Sequence, residues 1–114
     1  MQTTAARAQA KYIPISAQKV RLVIDAVRGM RVDDALDYLT FMPQRAAKPV
    51  GKVIKSAAAN AEESFDLPRN KLFISQIAAD EGPTRKWRRF GARGRFKPIK
   101  RRSSHIRVTL SGQQ

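Results

Sequence analysis

Residues 71–110 read KLFISQIAADEGPTRKWRRFGARGRFKPIKRRSSHIRVTL, and the way this stretch divides decides the fold. Its opening, Lys71–Ala79, is rich in Phe, Ile and Leu and follows the turn-like FDLPRN, which predicts a strand. Its close alternates Ile106, Val108 and Leu110 with His105, Arg107 and Thr109, the period of two expected of a strand with one buried face. Between them, residues 82–102 hold ten Lys or Arg among twenty-one residues, no acid, and Trp87, Phe90 and Phe96 among the charges. A strand, a long basic connection and a returning strand predict an antiparallel hairpin with an extended arm. Pro83 and Pro98 are expected to stiffen the two roots of the arm, with the tip near Gly91. Each limb then runs for about nine residues, or roughly 30 Å when extended, far longer than an economical turn requires.

Working outward, Ala6, Ala8, Ala10 and Tyr12 alternate with Arg7, Gln9 and Lys11, which predicts a third, half-buried strand. Ser16 is a good helix N-cap. Val20, Val23, Ile24 and Val27 follow at helical spacing and Gly29 supplies a stop, so a helix is expected over 17–28. Asp33 is expected to cap a short second helix ending before Pro43, with Leu36, Tyr38, Leu39 and Met42 turned inward. A third helix is expected over 44–64, with Ala47, Val50, Ile54, Ala57, Ala58 and Ala61 inside and Pro49 either starting it or straining its first turns. The fold class is therefore α+β: three helices packed on one face of a small antiparallel three-stranded sheet, with a long basic β-hairpin arm. Residues 1–114 are expected to make one domain, with a globular body of 5–81 and 103–112 and an arm of 82–102.

Charge separates the same two parts. The formal net charge is +14. Residues 1–81 hold twelve basic and all nine acidic side chains, whereas 82–114 hold eleven basic and none acidic. A polycation of that density repels itself and is expected to be mobile until a polyanion neutralises it. The chain has no cysteine, which excludes disulfides, thiolate zinc sites and thiol catalysis. No stretch reads as a signal peptide or a membrane span, so a cytoplasmic protein is expected.

Little here suggests catalysis. His105 is the single histidine and has no Cys or His partner in the pattern. Asp33 and Asp34 are explained by the start of a helix, Glu62 and Glu63 by a solvated surface, and Asp80 and Glu81 by pairing with nearby arginines. The glycines of FGARGRF match neither phosphate-binding loop pattern. No enzyme, cofactor, metal or small-molecule substrate is expected. The arm suits nucleic acid instead. Arg and Lys neutralise phosphates, while Trp87, Phe90 and Phe96 offer faces on which unpaired bases stack. Charged and apolar residues show no helical segregation in this stretch, against a membrane surface. An aromatic-studded arm also fits irregular RNA crevices better than a duplex groove, and no helix-turn-helix, zinc-finger or basic-zipper pattern occurs.

SAQKVRLVIDAVRG (16–29), SAAANAEE (56–63), DEGP (80–83) and ARGR (92–95) followed after nine residues by HIRVTL (105–110) together resemble the large-subunit ribosomal protein L-twenty-two family. The resemblance runs from Ala6 to Leu110. It implies a body on the outside of the large subunit near the mouth of the peptide exit tunnel, and an arm threading through ribosomal RNA to the tunnel wall. The implied partners are large-subunit ribosomal RNA, neighbouring ribosomal proteins and, at the tip, the nascent peptide, with no membrane. By position, the implied RNA contacts on the arm are Arg85, Lys86, Trp87, Arg88, Arg89, Phe90, Arg93, Arg95, Lys97, Lys100, Arg101 and Arg102. Phe90, Gly91, Ala92 and Arg93 would form the tunnel-facing tip; the family usually carries a basic residue where this chain has Gly91. On the body, Ser16, Lys19 and Arg21 would touch RNA, as would Ser103, Ser104 and His105 at the last strand. A helix cap with solvated charges is the alternative for the first three. A free-standing RNA-binding or RNA-chaperone protein is the alternative for the whole.

Overall fold

The structure is a computed structural model that describes residues 3–90 and 96–113. The elements follow as β1 (Thr3–Ile13), α1 (Ala17–Val27), α2 (Val32–Thr40), α3 (Ala47–Phe65), β2 (Leu72–Glu81), β3 (Arg85–Phe90), β4 (Phe96–Arg101) and β5 (Ser104–Gln113). One turn of 3-10 helix, Arg69–Lys71, leads into β2. The last strand takes the centre of a three-stranded antiparallel sheet of order β1-β5-β2, while β3 and β4 form a separate two-stranded ladder. This is the expected α+β architecture.

The core follows from the apolar periodicity of each element. On β5, Ile106, Val108 and Leu110 are buried, facing residues of both outer strands. Val20, Val23, Ile24 and Val27 of α1 and Val50, Val53, Ile54, Ala57, Ala58 and Ala61 of α3 close over the sheet. Helix α1 packs mainly against β2 and α3 mainly against β1 and β5, with α2 against α3. The short alanine side chains let α3 lie close enough to the sheet for Asn60 Nδ2 to donate to the Arg7 carbonyl at 2.9 Å.

A three-stranded sheet has two free edges, and helix side chains reach both. Along β2, Arg21 Nε donates to the Ala79 carbonyl at 3.1 Å and Arg28 Nη1 to the Ile77 carbonyl at 2.9 Å. The Ile74 N–H meets the Met30 carbonyl at 2.9 Å, beside a bridge between Arg31 and Phe73. On β1 the Asn60 amide does the same work. Unpaired edge groups are templates for aggregation, and each one paired in this way lessens that hazard. Arg28→Met, which keeps the apolar stem but not the donors, is expected to cost about 1–3 kcal/mol and to increase aggregation on heating. Thermal unfolding with light scattering would check both.

Five local expectations need correction. Tyr12 is 65% exposed rather than inward, because the register slips between Ala10 and Ile13 and Tyr12 takes a left-handed φ of 59°. Two residues of β1 there oppose one of β5, a bulge that reverses the alternation. Asp33 does not cap α2. The N-cap is Arg31, and Asp33 lies in the first turn, where it favours the helix dipole and pairs with Arg69 at 2.8 Å. Tyr38 is 48% exposed, roughly a quarter-turn round α2 from the buried line of Val32, Ala35 and Leu39. Helix α3 starts at Ala47, so Pro49 falls in the first turn, where the missing N–H costs nothing and no strain is needed. Pro98 is not at a root of the arm but inside the ladder, opposite Arg88. A two-stranded ribbon consists only of edge strands, which accept proline.

Candidate nucleic-acid interface

The arm begins where the body's hydrogen bonding ends. Gly82 N–H donates to the Ser103 carbonyl at 2.9 Å, and Ser103 Oγ donates to the Pro83 carbonyl at 2.8 Å, so the two limbs are tied together at their roots. A Cβ on residue 82 would lie 2.5 Å from Ser103 Oγ and 3.2 Å from the His105 ring, which makes glycine the residue that lets the limbs meet this closely. Beyond the tie, β3 and β4 pair as Arg85 with Arg101, Lys86 with Lys100, Trp87 with Ile99, Arg88 with Pro98, Arg89 with Lys97 and Phe90 with Phe96. Six pairs span about 20 Å. The register pairs a basic residue with a basic residue at three of the six positions, and like charges paired across strands disfavour a free ladder until an anion neutralises them. Gly91, Ala92, Arg93 and Arg95 lie outside the described residues.

Several predicted body residues converge at the arm root. A cleft of about 510 Å³ is lined by Ser16, Gln18 and Arg21 of the α1 end and by Glu81, Gly82, Thr84, Arg102 and Ser103 of the root. A second cleft, about 710 Å³, lies between Ser16, Gln18, Lys19 and Leu22 on one side and Gln44, Arg45 and Ala46 on the other, with Arg102 again on its wall. Ser16, Lys19, Arg21 and Arg102 are thus neighbours although the chain separates the first three from the last by some eighty residues. Ser16 also caps α1, its Oγ accepting the Lys19 N–H at 3.5 Å. Arg21 divides its role, one nitrogen being committed to the β2 edge.

Ser104 and His105 are placed differently. Ser104 is fully buried, and its Oγ has no hydrogen-bond partner among the described residues, so its hydroxyl is not presented at the surface. His105 is half-buried. Its Nδ1 accepts the Tyr12 N–H at 3.0 Å, which leaves the ring proton on Nε2, and the two rings meet edge to face with centroids 4.9 Å apart. The imidazole therefore fastens the β1 bulge. Asp80 pairs with Arg107 at 2.7 Å, as the charge pattern suggested. Arg45 is a cleft residue that sequence reasoning missed. Its only signal was a cation beside a helix start, and its position opposite Lys19 comes from helix packing.

Comparison with known proteins gives a consistent picture. The family model for ribosomal protein L22p/L17e matches residues 8–111. A protein of Pediococcus pentosaceus named large ribosomal subunit protein uL22 is 49% identical over 113 residues, covering 99% of this chain and 96% of its own. A protein of the same name from Desulforamulus reducens is 47% identical over 109 residues, covering 96% of each.

Proposed function

Because the chain belongs to the ribosomal protein L22p/L17e family, we propose that it is a structural, non-catalytic constituent of the large ribosomal subunit in the cytoplasm. It binds large-subunit ribosomal RNA through its arm and the cleft at the arm root, and so supports assembly of the subunit. The observation that carries this reading is the β3–β4 ladder, whose register pairs basic with basic residues at three of six positions, with no acid in the arm. Such a ladder gains most when phosphates lie along it and condensed counterions are released.

In this reading the body of 5–81 and 103–112 packs on the subunit surface, beside neighbouring ribosomal proteins. Arg85, Lys86, Arg88, Arg89, Arg93, Arg95, Lys97, Lys100, Arg101 and Arg102 neutralise phosphates. Trp87 and Phe90 occupy RNA crevices, and Phe90, Gly91, Ala92 and Arg93 reach the wall of the peptide exit tunnel, beside the nascent peptide. Lys19 and Arg21 add charge at the root, and Ser16 adds a hydroxyl.

The rival is a free RNA chaperone using the same arm, and sedimentation separates the two. The chain is expected to stay on large subunits through a moderate salt wash, at one copy per subunit by quantitative mass spectrometry. Substoichiometric protein released by the wash would favour the chaperone.

A further inference from the structure

Resting on the RNA-binding reading above, we propose that the RNA contact continues from the arm root past Arg45 and along the outer face of α3, where Arg45, at the turn before the helix, and Lys48, Lys52 and Lys55 on it receive a second length of phosphate backbone. All four side chains are exposed, and together they rim a groove of about 530 Å³ between α2 and α3. Lys48, Lys52 and Lys55, spaced by four and three residues, lie on one side of the helix, and Arg45 stands in the turn just before it. Lys48 to Lys55 covers about 10 Å of helix axis.

Three observations give this face to an anion. None of the four takes part in a salt bridge among the described residues, whereas Arg28, Arg69 and Arg107 each hold a carboxylate. Like charges at helical i,i+3 and i,i+4 spacing repel, so the row costs the free protein stability that an external anion restores. The groove is also continuous with the arm. Gln44 and Arg45 belong both to it and to the cleft at Lys19, and Ser16, Gln18 and Arg102 carry that cleft into the one at the root. A basic track therefore runs without interruption from Arg102 to Lys55.

RNA fits this track better than a protein does. The apolar part of the groove is shallow, with Leu39 only 6% exposed and Leu36 and Met42 half-buried against the core, and four cations rim it with no acidic side chain among its lining. Protein interfaces gain most from a buried apolar centre, whereas a row of one-sign charges with a covered floor gains from counterion release.

The test uses the full chain with Lys48→Gln, Lys52→Gln and Lys55→Gln together, titrated against large-subunit ribosomal RNA over a range of salt. The plot of log affinity against log salt is expected to flatten by about 2 to 3 units, with affinity lower by about 10- to 100-fold at physiological salt. The Lys→Arg triple variant is expected to keep the parent slope, and circular dichroism should show all three proteins equally folded. A Gln variant with the parent's slope would overturn the track. The RNA-binding reading would still stand if an arm-deleted chain lost affinity in the same assay, and would fall with the track if it did not. If the Gln variant kept its RNA slope but lost cross-links to an adjacent ribosomal protein, the occupant would be protein and the proposal would be wrong.

Discussion

A chain in which residues 85–101 are replaced by Asn-Gly is expected to fold, and to bind large-subunit ribosomal RNA at least about 10³-fold more weakly at physiological salt. The replacement removes nine of twenty-three cations and takes the formal net charge from +14 to +5. Each lost phosphate contact lowers the salt slope by roughly 0.7 to 0.9, so even partial engagement of nine cations makes a large change. The body has little reason to notice. Its core residues among the described ones come from β1, the three helices, the segments before α1, α3 and β2, and β2 and β5. The Gly82–Ser103 hydrogen bond stands outside the replaced segment and closes a short loop, for which Asn-Gly is a favoured turn. Shortening the connection also reduces the entropy lost on joining β2 to β5. Filter binding over a salt series and a thermal melt would measure the two quantities independently. Unchanged affinity and slope would refute the arm's role. Loss of folding would instead refute the division into body and arm, and restoring the wild-type ladder with Lys and Arg replaced by Gln would then test the charge alone.

Leu110→Ala is expected to do the reverse. Leu110 is fully buried on the central strand, paired with Ala6 of β1 on one side and Ile74 of β2 on the other. Removing a buried leucine from such a position costs about 2–5 kcal/mol, a large part of the roughly 5–15 kcal/mol that holds a domain together. For a chain of this size the melting temperature should fall by more than about 10 °C. The neighbours cannot readily close the void, because both flanking strands are held in register by β5 itself. Below the transition, RNA affinity should be near that of the parent, since the arm and its root are untouched. A loss under about 1 kcal/mol in denaturant titration would show that the sheet relaxes around the site, contrary to the packing described.

The elements that could be read from the residues were those governed by neighbours in the chain. Ser16, Val20, Val23, Ile24, Val27 and Gly29 define α1 locally, and the observed helix differs from the expected one by a single residue at its end. The alternation of Ile106, Val108 and Leu110 likewise sufficed for β5. Tyr12 was misread because a bulge is a mismatch between two strands, visible only once Ala10 and Ile13 are set against Ile106 and Ser104. Asp33 was misread because the helix start moved by two residues toward a position with no side-chain cap, where tertiary contacts of Val32 outweigh local capping.

The candidate site divides along the same line. Polarity and extent of the arm were open in the sequence alone, because a run of cations without acids has one physical consequence whatever the fold around it. Membership of the two flanking segments in strands was legible for the same local reason. The tertiary structure alone decided that β5 takes the centre of the sheet. It also decided that Arg21, Arg28 and Asn60 reach across 58, 49 and 53 residues to the sheet edges, and that Ser104 turns inward. It set Lys19, Arg45 and Arg102 around one cleft as well. These are pairings between distant parts of the chain, and they follow from how helices settle on a sheet rather than from any residue's immediate neighbours.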